Sequence, residues 1–205
     1  VYANDRLVDL ETDAESSPKR TAFVRRHRDT LYVLAALAYG IAVAVSVLGG
    51  PVSLGLALLP GAAWVLYAVD WVPVSDAPFR RLKEIVVLNS ALVAVAWSLP
   101  IVLLPLAFAD AGLGATAVVL FLYFALATFV NTEIANVGDV ESDRQSGDAT
   151  LPVVLGVERT RQTLYGVVAL TVALLAFATA AGHLPSTAAA TLSVGLAALL
   201  GVIAL

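Results

Sequence analysis

Two short stretches of the sequence carry oxygen-bearing side chains at the spacing of one helix face. The first is NDRLVDLETD, which begins at Asn4, and the second lies within NTEIANVGDVESDRQSGDATLPVVLG, residues 131–156. Residues three and four positions apart project from the same face of a helix. Each stretch therefore predicts a stack of oxygen ligands, formed by Asp5, Asp9 and Asp13 in the first and by Asn136, Asp139 and Asp143 in the second.

Stacked carboxylates repel one another, at a cost of about 0.2–0.5 kcal/mol for each exposed i,i+4 pair. A bound cation would remove this repulsion. Mg2+ is the best candidate, because it prefers oxygen ligands and commonly binds through one or two carboxylates together with substrate phosphates. A single pair of aspartates at this spacing is more often found at a solvated helix end. Two such clusters on one face of the membrane favour a different interpretation, in which they hold Mg2+ ions that bridge one diphosphate. The sequence lacks the patterns of an EF-hand, a P-loop and a dinucleotide-binding loop.

The chain that positions these clusters has the composition of a membrane protein. Hydrophobic residues make up 60% and charged residues only 14%, against roughly 25% charged in soluble domains. Its uncharged runs are longer than the core helices of soluble proteins, and about 20 residues cross a bilayer. The two longest runs are each divided by glycine and proline, at Gly49-Gly50-Pro51 and at residues 182–185. We predict an all-α transmembrane bundle of six spans, near residues 31–48, 52–69, 85–108, 112–131, 163–181 and 186–205.

The distribution of charge predicts how these spans are oriented. All twelve Lys and Arg residues fall in segments 1–30, 70–84 and 132–162, which alternating spans place on one side of the membrane. By the positive-inside rule that side is cytoplasmic. Asp110 is the one acidic residue of the sequence on the opposite side. The net charge of -4 and the lack of a basic footprint argue against a nucleic-acid partner.

The order and spacing of these features resemble the UbiA superfamily of intramembrane prenyltransferases over nearly the whole chain. NDRLVDLETDAESSPKR is similar to the first acidic motif of that family, and PFRRLKE, at 78–84, is similar to its basic loop. Trp97 matches a position in the next span. DVESDRQSGDATLPVVLG, at 139–156, resembles the second acidic motif with its Thr-Leu-Pro-Val tail.

The resemblance implies Mg2+-dependent transfer of a polyprenyl group from its diphosphate to a lipophilic acceptor in the cell membrane. It also implies one transmembrane domain over 1–205, with the first acidic motif at 4–20, the basic loop at 70–84 and the second acidic motif at 131–156. The implied metal ligands are Asp5, Asp9, Asp13, Asp139 and Asp143. The implied catalytic residues are Lys83, Asp9 and Asp139. The implied substrate contacts are Asn4, Asp5, Arg20, Arg81, Lys83, Trp97, Asn136 and Arg144.

The sequence departs from the family pattern at three places. The family has asparagine four residues before the middle aspartate of the first motif, where this chain has Asp5, so Asn4 and Asp5 both remain candidate ligands. Asn136 occupies a position where relatives often have an acid. Relatives also place two spans before the first motif, so we expect an N-terminally shortened member of the family.

The acceptor, the oligomeric state and the class of function stay open at the level of sequence. The acceptor could be an aromatic quinone precursor, an ether lipid or a carotenoid end, and the oligomeric state is not indicated. The rival functions are a multi-pass transporter, for which inverted repeats and broken helices are typical, and an inactive homologue. No such repeat is evident in the sequence.

Overall fold

The computed structural model of the chain describes residues 18–68 and 88–204, and these residues form helices without any strand. This arrangement confirms the predicted all-α class. The nine helices of the described residues are α1 Pro18–Arg26, α2 Arg28–Leu48, α3 Gly50–Ala68, α4 Leu88–Phe108, α5 Ala115–Gly138, α6 Val140–Ser146, α7 Leu151–Leu155, α8 Val157–Ala180 and α9 Ser186–Ala204.

Six of these helices correspond to the six predicted spans. Five of them, α2, α4, α5, α8 and α9, are long and apolar enough to cross a membrane. In α3 the apolar stretch with described side chains runs over Gly50–Ala62. A helix rises about 1.5 Å per residue, so 19–24 residues extend about 28–36 Å, which matches a hydrocarbon core of about 30 Å.

The break between α2 and α3 falls where glycine and proline predict it. Gly50 adopts a positive φ of 84°, a conformation open to glycine at little cost. Gly49 is needed for a different reason, since a Cβ at this position would contact Ser53 and lie 3.0 Å from Phe108. The second predicted break is also present, because Gly182 has a φ of 73° and α9 begins at Ser186.

Two helices extend several residues beyond the predicted spans. The span predicted to end near 131 lies in α5, which continues to Gly138, and the span predicted to begin near 163 lies in α8, which begins at Val157. Hydropathy locates the lipid-facing part of a helix, whereas the backbone continues to form helical hydrogen bonds beyond the lipid. The predicted polar segment 132–162 is therefore largely helical, and α5 carries part of the second acidic motif.

Successive long helices pack side by side in antiparallel order. The end of α5 contacts the start of α4 through Asn136 and Ser90. At the opposite end, Thr116 donates a 2.7 Å hydrogen bond to the carbonyl of His183, and Phe108 lies beside Gly49. One end of the bundle therefore contains the start of α2, the end of α5 and the start of α8. Every described segment with a Lys or Arg residue lies at this same end.

A hydrophobic core of buried side chains joins α5, α8 and α9. Leu164, Val168 and Leu175 of α8 are almost fully buried against it. Tyr123 of α5 crosses to α9 and donates a 2.8 Å hydrogen bond to the carbonyl of Leu192. In contrast, α2 and α3 present apolar side chains such as Leu48 outward, as expected for surfaces in contact with lipid. The second acidic motif is thus attached to two helices of this core, α5 and α8.

Candidate functional site

The second acidic motif lies where α5 ends and the chain bends into α6. The Asp139 N–H donates to the carbonyls of Ala135 and Asn136, at 3.2 Å each. The Asp143 N–H in turn donates to the Asp139 carbonyl at 2.9 Å. The helical path therefore continues through the bend, and Asn136, Asp139 and Asp143 occupy successive turns. Asp139 and Asp143 are both partly buried.

A hydrogen bond holds the second aspartate of this motif in place. The Thr150 hydroxyl donates to Asp143 Oδ2 at 2.9 Å. The chain reverses after α6 through Gly147, which has a φ of 78°, and the Asp148 N–H donates to the Asp143 carbonyl at 2.9 Å. Thr150 is buried beside Leu151, the first residue of α7, and α7 packs against α5 and α8. The Thr-Leu-Pro-Val tail thereby fixes a carboxylate of the acidic motif.

Arg144 forms an ion pair on the surface of α6. Its Nη1 lies 2.8 Å from Glu141 Oε2, and the two side chains are 58% and 68% exposed. Exposed pairs of this kind contribute about 0–1 kcal/mol. The pair with Glu141 therefore does little to hold the Arg144 side chain in one position.

Glu133 belongs to the same region, although the sequence analysis did not single it out. It is fully buried on α5, and its Oε2 accepts a 3.2 Å hydrogen bond from Asn136 Nδ2. Asn136 Nδ2 also lies 3.4 Å from the Ser90 hydroxyl of α4. The available signal was an acid one helical turn before Asn136. It was missed because residue 133 was assigned to a solvated polar segment instead of a packed helix.

The remaining predicted site residues are only partly described. Trp97 is 42% exposed on α4, on the same face as Ile101 one turn later, so it lies on the surface of the described bundle. Arg20 lies in α1, whose side chain at this position is not described. The other predicted residues, Asn4, Asp5, Asp9, Asp13, Arg81 and Lys83, lie outside the described residues.

The second acidic motif offers oxygen atoms of the kind that hard cations bind. Residues 18–68 and 88–204 hold no group of three His, Cys, Asp or Glu side chains arranged around a metal position. Asp139 and Asp143 offer two carboxylates, the chain has no cysteine, and His27 and His183 belong to other parts of the fold. One or two carboxylates completed by phosphate oxygens are typical of Mg2+ sites.

The comparison with protein families gives a match over the whole chain. The UbiA prenyltransferase family model matches residues 1–205. No curated protein and no solved structure matches.

Proposed function

The chain belongs to the UbiA prenyltransferase family, and we propose that it transfers a polyprenyl group from a polyprenyl diphosphate to a lipophilic acceptor in the cell membrane. An aromatic quinone precursor, an ether lipid and a carotenoid end are the acceptor classes considered. The observation that carries the proposal is the second acidic motif, in which Asp139 and Asp143 lie one helical turn apart.

The two acidic motifs together are proposed to hold Mg2+ and the diphosphate. Asp139 and Asp143 act from the second motif, while the first motif contributes Asp9, Asp13 and either Asn4 or Asp5. When bound, Mg2+ supplies Lewis acidity and neutralises charge on the diphosphate. The hydrogen bond from Thr150 to Asp143 supports this role, because it orients one carboxylate oxygen before the substrate binds.

Basic residues are proposed to bind the departing diphosphate. Lys83 and Arg81 donate charge-assisted hydrogen bonds to its oxygens, and Arg20 and Arg144 give further contacts. These bonds strengthen as the C1–O bond of the prenyl group breaks and its electron pair moves to the diphosphate. Interactions that are stronger in the transition state than in the ground state accelerate the reaction. The acceptor then forms its bond to C1 and loses a proton to water or to the released diphosphate, which gives the neutral product.

The apolar helices are proposed to accommodate the prenyl chain beside Trp97. An aromatic face attracts positive charge within about 6 Å, so Trp97 can stabilise the allylic cation or pack against the chain. The three charged segments lie on the cytoplasmic side in this proposal, where a soluble diphosphate is released into water. Membrane lipids surround the bundle.

The proposal is tested by incubating membranes that contain the full-length protein with labelled geranylgeranyl diphosphate and a representative of each acceptor class. We expect label to appear in one acceptor product, and we expect EDTA to abolish the transfer and excess Mg2+ to restore it. Membranes with an Asp143→Ala variant, inserted at the same level, serve as the control. If no acceptor is labelled above that control, or if transfer continues in EDTA, the proposed function is wrong.

A further inference from the structure

Glu133 is a fully buried acid whose hydrogen bonding is incomplete. Its Oε2 accepts from Asn136, but its Oε1 has no hydrogen-bond partner among the residues that the structure describes. Leaving a buried polar atom unsatisfied lowers stability, so Glu133 is poorly explained as a residue that only holds helices together. An ionisable residue within a membrane helix is by default a candidate functional residue.

The contacts of Glu133 determine how the Asn136 amide is oriented. The amide nitrogen of Asn136 faces Glu133, with Nδ2 donating to Oε2 at 3.2 Å. The same nitrogen lies within 3.4 Å of the Ser90 hydroxyl. Both contacts use Nδ2, and within residues 18–68 and 88–204 the structure gives the amide oxygen Oδ1 no partner. Asn136 therefore offers an oxygen to a ligand.

This oxygen belongs to the same helical stack as the two aspartates. The Asp139 N–H is bonded to the Asn136 carbonyl, and the Asp143 N–H to the Asp139 carbonyl. Residues three apart on a helix have Cβ atoms about 5–6 Å from one another. Asn136 is thus one turn from Asp139, on the side of the motif nearest the membrane span.

We propose that Glu133 is a positioning residue that fixes the Asn136 amide, so that Asn136 adds a neutral oxygen to the cation and diphosphate site of Asp139 and Asp143. This inference rests on the proposed function. Glu133 itself does not touch the substrate.

Exchanging the two side chains tests the inference. Glu133→Gln no longer fixes which way the Asn136 amide faces, because a carboxamide can both donate and accept hydrogen bonds. Asn136→Asp replaces the hydrogen bond between the two side chains by a contact between two acids. The double variant Glu133→Gln/Asn136→Asp restores a bond between a carboxamide and a carboxylate with the roles reversed. The measurements are binding of Mn2+ by the detergent-solubilised full-length protein in the presence of inorganic pyrophosphate, followed by electron paramagnetic resonance, and the thermal midpoint of unfolding.

We expect Glu133→Gln to bind Mn2+ about tenfold more weakly, since residues that orient a metal ligand typically change affinity by about 10–100-fold. Asn136→Asp places two acidic side chains in contact and should lower the thermal midpoint. The double variant should recover to within about threefold of the wild type. Tyr123→Phe is the matched control, because it removes one buried hydrogen bond from the same helix. It should lower the thermal midpoint and leave Mn2+ binding unchanged.

Each other outcome overturns the inference. If Glu133→Gln binds Mn2+ as tightly as the wild type, Glu133 has a structural role at most. The same conclusion follows if the double variant recovers the thermal midpoint but not the Mn2+ affinity. If Glu133→Gln does not fold, the double variant decides, and weak Mn2+ binding by the folded double variant contradicts the inference. If the wild type binds no Mn2+ with pyrophosphate, the proposed function fails together with the inference.

Discussion

Thr150 connects two parts of the second acidic motif through a single hydrogen bond. Its hydroxyl donates to Asp143 Oδ2 at 2.9 Å from a buried position. A hydrogen bond to a charged group contributes about 1.5–3 kcal/mol. We expect Thr150→Val to lower the free energy of unfolding by an amount in this range and to weaken Mn2+ binding in pyrophosphate. Thermal unfolding in detergent and Mn2+ titration measure the two effects.

The conservative variant at this position separates packing from orientation. Thr150→Ser keeps the hydroxyl and loses a methyl group, so it should retain most of the Mn2+ affinity while losing some stability. Equal affinities in Thr150→Val and the wild type would show that Asp143 does not need this hydrogen bond.

Lys83 is one of two lysines in the chain, and its role is a prediction from sequence. If it binds the departing diphosphate, its effect grows as negative charge develops on the leaving oxygen. Lys83→Ala should therefore lower kcat more than it raises KM for the prenyl diphosphate. Lys83→Arg should recover only part of kcat, because a planar guanidinium presents its donors differently from an ammonium. A wild-type kcat in correctly inserted Lys83→Ala would leave Lys83 as a topology signal.

The packing of the helices positions the site. The break between α2 and α3, at Gly49 and Gly50, allows a direct test of that packing. A Cβ at Gly49 would contact Ser53 and lie 3.0 Å from Phe108, so Gly49→Ala should lower the thermal midpoint. For Gly55, in the middle of α3, no atom of the described residues outside the local helix backbone lies within 4 Å of an added Cβ. Gly55→Ala should be neutral or should stabilise by up to about 1 kcal/mol. Equal midpoints for the two variants would contradict the close approach at Gly49.

Much of the helical framework could be predicted from sequence, because hydropathy and Gly-Pro punctuation act locally. Both breaks between helices, at Gly50 and at Gly182, lie where the sequence predicts them. The Glu133, Asn136 and Ser90 contacts could not be predicted, since they join residues 46 positions apart on two helices. The pattern of carboxylates predicted the turn that joins Asp139 to Asp143, but the bond from Thr150 depends on how α7 folds back.

The whole molecule is predicted to place its charged segments on the cytoplasmic side. The chain has no native cysteine, so single cysteines report orientation cleanly. Gln145→Cys, on α6, should react with an impermeant maleimide only after the cells are opened. Gly112→Cys, between α4 and α5 at the other end of the bundle, should react in intact cells. The reverse pattern would place the acidic motif outside the cell and would exclude a cytoplasmic diphosphate site.

The central claim is that the two acidic motifs act as one site for Mg2+ and diphosphate. Its most direct test is the Mg2+-dependent transfer of label from geranylgeranyl diphosphate in Asp9→Asn, Asp139→Asn and the double variant, each in the full-length protein. Residues that act as a unit have strongly non-additive effects. We predict that each single variant loses at least about 100-fold in rate and that the double variant is no slower than the slower single variant. Wild-type transfer in either single variant, or a loss in the double variant equal to the product of the two single losses, would contradict the account.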